Sequence, residues 1–291
     1  IPAHTGYEIV ERDYTDEGYT TQTPQNASGL INVVNEAGRE AAMTFTNTRE
    51  SGTLALSKAL KGNATDGEKE FTFRVKLENA RFDTATRRDA YDVVIREANK
   101  ADVQTTVARD ANGEYVLTLK GGQTATLLDV LYGTTATVAE DDYTAEGYEA
   151  VSTQTAAVNG QTPDAAVAFT NERYIGSIEI TKALAGTGSD KGYGKTFTFD
   201  VKLWNEHNLD LLNAQTSTMP SGVDGLTKTN EQRDGHDVYA GTVSITMGAD
   251  GQPVSASITN IPAHTHYEIV ERDYTDEGYT TQTPQNASGL I

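Results

Sequence analysis

Three residue types that an alternating strand keeps out of its core recur in this chain at matching places. TLALSKAL puts Leu54, Leu56, Lys58 and Leu60 on one side of a strand, and SIEITKAL puts Ile178, Ile180, Lys182 and Leu184 on one side of another. AVAFTN gives the row Val167, Phe169 and Asn171, and AMTFTN gives Met43, Phe45 and Asn47. ATVAE gives Ala136, Val138 and Glu140, while YEIVE gives Tyr7, Ile9 and Glu11 and later Tyr267, Ile269 and Glu271. Lys76 and Lys202 are the control: they fall opposite the apolar rows of FTFRVKL and FTFDVKL and so face solvent.

An isolated charge in a core costs several kcal/mol, and an amide without partners costs roughly 2 to 7. Proton transfer lowers that cost. Desolvation lowers the pKa of a buried lysine and raises that of a buried glutamate, so the proton passes from ammonium to carboxylate. The free amine is a nucleophile, and an asparagine side chain beside it, polarised by the protonated acid, is an electrophile. Attack expels ammonia and leaves a Lys–Asn amide, with the effective concentration of a held pair and no external enzyme. Each residue alone has a plainer reading. Lys58 snorkels from an edge strand, Asn171 closes a turn, and Glu140 opens an acidic loop with Asp141 and Asp142. Recurrence of all three in register favours the reaction.

The elements that would position these groups are short runs rich in Thr, Val, Phe and Leu. They are separated by turn signals such as Asn112-Gly113, Gly121-Gly122 and Asp250-Gly251. RRDAYDVVIREANKAD fits a short helix or, through YDVVI, a strand. Strand spacing near ten residues without sustained helical periodicity predicts an all-β chain of tandem antiparallel β-sandwiches. Residues 1 to 31 return as 261 to 291 at 30 of 31 positions, the exception being Gly6 against His266. Inside that long period, GTLALSKALKG matches GSIEITKALAG, and EDDYTAEGY matches ERDYTDEGY. The expected organisation is the C-terminal half of a repeat (1–50), a complete repeat (51–173) and a repeat lacking its last strand (174–291). Such a pattern is expected of a window cut from a tandem array. Completion of the broken repeat by residues 32 to 50 of another copy, as strand complementation, is the second reading.

Composition narrows the function classes. A formal net charge of -19 repels nucleic acid and anionic lipid, so neither is expected as a partner. The absence of cysteine removes disulfides, thiolate catalysis and cysteine-based zinc sites. His4, His207, His236, His264 and His266 show no ligand spacing, so no metal or cofactor is expected. No stretch reaches the roughly 18 apolar residues of a membrane span. Trp204, near Tyr193, is the best candidate for an exposed aromatic contact with a glycan or matrix protein, although such a tryptophan is more often core.

The order of a lysine on the first strand, an acid on a later strand and F-T-N on the last strand resembles the isopeptide-forming domains of Gram-positive surface proteins. These are the collagen-adhesin B-type repeats and the streptococcal pilin isopeptide-linkage domains. That resemblance implies an immunoglobulin-like, CnaB-like sandwich with Lys58 joined to Asn171 and Glu140 as the catalytic acid. It likewise implies Lys182 with Glu271 awaiting an asparagine beyond Ile291, and Asn47 with Glu11 serving a lysine before Ile1. Ala136 stands where the family's acid strand carries tyrosine. The implied role is a structural stalk or filament-shaft repeat of an extracellular, cell-wall-anchored adhesin or pilin. Its partners would be neighbouring repeats, and its only chemistry a single self-directed turnover. A ligand-binding adhesin module is the alternative.

Overall fold

The computed structural model describes residues 1–31, 41–186, 192, 194–213 and 219–291. Strands dominate it. In chain order they begin with β1 (Gly6–Glu8), β2 (Thr20–Gln22), β3 (Ser28–Leu30) and β4 (Thr46–Thr48). Then come β5 (Ser51–Lys61), β6 (Phe71–Asn79), β7 (Ala90–Glu97), β8 (Val103–Ala108), β9 (Tyr115–Leu119), β10 (Gln123–Leu131), β11 (Thr134–Glu140), β12 (Gln154–Val158) and β13 (Asp164–Glu172). The last group is β14 (Ile175–Lys182), β15 (Thr196–Asn205), β16 (Asp224–Arg233), β17 (His236–Thr246), β18 (Val254–Pro262), β19 (Thr265–Glu271) and β20 (Ser288–Leu290). YDVVI, open between helix and strand in sequence, is the body of β7. Its β-branched run Val93-Val94-Ile95 suits a pleated strand, and only the four residues Asp83–Thr86 before it form a helix, α1.

The chain groups into two compact units, one of residues 1–59, 68–141 and 152–169, the other of residues 60–67, 142–151 and 170–291. In the first unit, a sheet in the order β13-β5-β10-β7-β8 and a sheet in the order β12-β11-β6-β9 face one another. The expected alternation fills the space between them. Leu54 and Leu56 of β5, Phe71, Phe73 and Val75 of β6, Ala136 and Val138 of β11, and Val167 and Phe169 of β13 are all buried. Phe73 and Phe169 meet edge to face with centroids 5.1 Å apart, which closes the gap from opposite sheets.

Most pairs are antiparallel, but β13 lies beside β5 in parallel. The Thr53 hydroxyl donates to Asp164 and the Ser57 hydroxyl to the Val167 carbonyl at separations of 111 and 110 residues. The same offset returns at Lys61 and Glu172, 111 residues apart. Gly52 permits this approach: a Cβ there would stand 1.9 Å from the Pro163 carbonyl oxygen.

The second unit pairs β14 with β18 and builds a second sheet in the order β16-β17-β15-β19-β20. Ile180, Phe197, Val201, Leu203, Tyr239, Val243, Ile245 and Ile258 are among the residues of its core. Residues 1–31 and 41–50 form only the two-stranded pairs β1-β3 and β2-β4 among the described residues, with Ile9 and Val10 exposed. Among the described residues, no helix is long and apolar enough to cross a membrane.

Candidate functional site

Lys58 sits on β5 at the point where the apolar row Leu54, Leu56 continues toward the sheet end, and its side chain is wholly buried. Its Nζ donates to Glu140 Oε1 at 2.9 Å, with the two side chains 0% and 1% exposed. Glu140 is the last residue of β11 and stands opposite Phe73 of β6, so lysine and acid meet across the sandwich from different sheets. The Phe71 ring forms the floor, with Lys58 Nζ 4.0 Å from its centroid. Burial pushes the Lys58 pKa down, against the hydrogen bond and charge of Glu140, which pull it up. Desolvation wins, which favours the uncharged amine. Asn171 lies on β13 two residues after Phe169, on the same face, and is 1% exposed.

The second unit repeats the lysine–acid half of this arrangement. Lys182 Nζ lies 2.6 Å from Glu271 Oε1, with side chains 13% and 6% exposed. Glu271 stands opposite Phe199 as Glu140 stands opposite Phe73, and Lys182 Nζ lies 4.4 Å from the Phe197 centroid. Acid and amide meet at the third place, where Asn47 Nδ2 donates to Glu11 Oε1 at 2.7 Å. Asn47 is nonetheless exposed, contrary to the inward placement that its row suggested, because among the described residues nothing packs as a facing sheet over β4.

All seven residues picked from the alternating rows thus lie on or beside strands. The structure brings Lys58 to Glu140, Lys182 to Glu271 and Asn47 to Glu11. The aromatic floors Phe71 and Phe197 were not singled out, although FTF repeats in both copies and signals them. Trp204 is buried, not exposed, with one face stacked on His266 at 5.3 Å and the Arg233 guanidinium 4.8 Å from its ring. Tyr193 lies outside the described residues.

Residues 52–173 and 176–291 each match the model of a family described as a domain of unknown function (DUF7601). The chain belongs to this family. It is also 31% identical over 114 residues to a pilin of Streptococcus pyogenes serotype M1, a match covering 38% of this chain and 32% of that pilin. The chain therefore spans about a third of that relative's length. The resemblance to Gram-positive pilus proteins read from three short motifs is thus also found over a stretch of 114 residues. Among solved structures, the major pilin of Streptococcus pyogenes matches at 23% identity with a TM-score of 0.37, covering 54% of this chain and 62% of that one. A pilus-presented adhesin matches at 26% identity with a TM-score of 0.32, covering 43% and 28%.

Proposed function

We propose that the chain is a shaft or stalk segment of a bacterial surface filament, stiffened by a self-formed amide between Lys58 and Asn171. The buried Lys58–Glu140 pair carries this reading. A core that needs only stability gains little from such a pair, since an apolar pair of similar volume often serves as well or better. A core that needs a neutral amine gains much. In the step, Lys58 Nζ attacks Asn171 Cγ, forming one C–N bond, and the Cγ–Nδ2 bond breaks. Glu140, protonated, gives its proton to the leaving nitrogen and takes one from the attacking nitrogen, so that ammonia departs and Glu140 ends as it began. Lys182 with Glu271, and Asn47 with Glu11, are halves of equivalent sites.

The mechanical consequence follows from position. Lys58 is near the start of the first family copy and Asn171 near its end, so a link between them carries tension past residues 59 to 170. Those strands stay folded under load. The similarity to a streptococcal pilin supports a pilus as the filament and the cell surface as the location, with copies of the same protein as partners. Single-molecule extension of the chain tests this role. The expected trace lacks the length of residues 59 to 170, whereas release of that length at ordinary unfolding forces rules the role out.

A binding module is the weaker reading, because Trp204, the aromatic best suited to grip a sugar, is covered by His266 and Arg233.

A further inference from the structure

The two family copies share a turn pair that differs in one chemical respect. In the first copy, buried Asn79 donates to the Tyr132 carbonyl and to the Thr134 hydroxyl, and accepts from the Arg81 and Phe82 amides. In the second, buried Asn205 donates to the Ala263 carbonyl at 2.9 Å and the Thr265 hydroxyl at 2.8 Å, and accepts from the His207 amide at 2.9 Å. One asparagine therefore stitches two turns together in each copy. Arg81, Gly133 and Thr135 occupy the turn positions of the first copy at which the second carries His207, His264 and His266.

His264 takes the left-handed conformation of Gly133, with φ of 60° against 88°. Histidine is among the side chains that tolerate this backbone, and His4 adopts it as well, with φ of 61°.

The imidazole is aimed at carboxylates. His264 Nε2 lies 2.8 Å from Glu149 Oε1, and its Nδ1 lies 3.2 Å from Glu206 Oε2. His266 Nε2 fixes the other Glu206 oxygen at 2.9 Å, and His266 is itself stacked on Trp204. His207 packs against His264 with ring centroids 4.8 Å apart. Ligand atoms of Glu149, His207 and His264 all lie within 4.8 Å of one another. Donors on a tetrahedral zinc ion at about 2.0 to 2.2 Å stand about 3.4 Å apart, a spacing within reach of a side-chain rotation at exposed His207.

We propose that Glu149, His207 and His264 bind a borderline divalent cation of the zinc type, with Glu206 and His266 as the outer support. Two imidazoles and one carboxylate are the donor set that such ions prefer. The outer support is already built: a metal-bound histidine characteristically donates its second N–H to a carboxylate, as Nδ1 of His264 does toward Glu206. The inference is independent of the Lys–Asn link. Glu149 belongs to the segment 142–151, part of the first family copy by sequence, which packs with residues 170–291. A bound ion would tie that segment to the turns of the second copy. His266, the one change in the 31-residue repeat, orients the supporting carboxylate where the earlier copy has Gly6.

Isothermal titration of the untagged full chain with zinc chloride tests the site. One saturable ion per chain is expected, with a rise in melting temperature that chelator reverses. His207→Ala and Glu149→Gln should each weaken uptake at least tenfold, while His266→Gly, which restores the residue of the earlier repeat, should weaken it by about 10- to 100-fold. His4→Ala, outside the cluster, should leave it unchanged. Absence of saturable uptake, or uptake equal in His207→Ala and Glu149→Gln, overturns the proposal.

Discussion

A buried lysine is a strained guest, and its ionisation reveals what the fold does with it. Burial holds the Lys58 pKa below its usual 10.5. The unfolded chain keeps the ordinary value, so between the folded pKa and 10.5 it binds more protons than the folded chain does. Stability before any cross-link therefore rises with pH through that window. Below the folded pKa both states are charged, and the full penalty is present. Asn171→Ala, which removes the electrophile, isolates this effect. Its unfolding free energy should climb with pH on the alkaline side, and adding Lys58→Met should flatten the climb. A slope unchanged by Lys58→Met would mean that Lys58 is not the desolvated group. The same ionisation controls reactivity: the bond should form faster as pH rises, because the amine and not the ammonium attacks. Most of this was legible in the sequence, since a period of two suffices to put Lys58, Glu140 and Asn171 in apolar rows. The local pattern alone did not give the partner of each lysine, which came from the resemblance to isopeptide-forming domains, because which sheet faces which is set by long-range pairing.

At the scale of elements, two devices bring the strands into place. The first is Gly52. Alanine there would drive a methyl group into the Pro163 carbonyl, so β13 must lift away from β5. Gly52→Ala should cost about 1–3 kcal/mol by overpacking and slow cross-linking. A variant with unchanged denaturant midpoint and unchanged bond formation would show that the close approach is dispensable. The second device is Asp129, which sits at a bulge of β10 with φ of 58° and accepts from Arg49 at 2.7 and 2.9 Å and from Arg88 at 2.7 Å. Partial burial pushes its pKa up, but hydrogen bonds from Arg49, Ser51 and Arg88 hold it down to about 2. A lowered acid stabilises the fold above its ordinary 3.8, and that contribution is lost as pH falls toward 2. Asp129→Asn should cost about 1 kcal/mol at neutral pH after allowance for solvent screening, and the difference from the parent should shrink in acid. A difference constant from pH 7 to pH 2 would contradict the clamp. The glycine was visible as a repeated letter before SKAL and ITKAL. The bulge was not, because one unpaired residue in β10 leaves no periodic trace. The His264 cluster escaped for a similar reason: residues 149, 207 and 264 converge only after three separate segments fold.

For the molecule as a whole, a covalent link across a family copy limits the unfolded chain in the manner of a disulfide closing a loop of that length. Such closure is worth on the order of 4–5 kcal/mol in the chain-entropy account. Removal of the link by Glu140→Ala should therefore lower the melting temperature of the first copy clearly and expose its strands to protease, while the second copy, matched separately by the family, keeps its own transition. Equal protease resistance of parent and Glu140→Ala would show that the strands need no covalent support. On the proposed reading the division of labour is physically sensible for a filament: sheets supply shape, and the amide would supply resistance to extension. The two family copies were legible in sequence through the looser match of GTLALSKALKG with GSIEITKALAG and of FTFRVKL with FTFDVKL.

The central claim is that a desolvated Lys58 amine has replaced the Asn171 side-chain nitrogen, and intact-mass measurement of the purified chain reads that exchange directly. The parent should weigh one ammonia less than its sequence requires, and Lys58→Ala, Asn171→Ala and Glu140→Ala should each weigh what their sequences require. A parent chain at its full calculated mass would contradict the account.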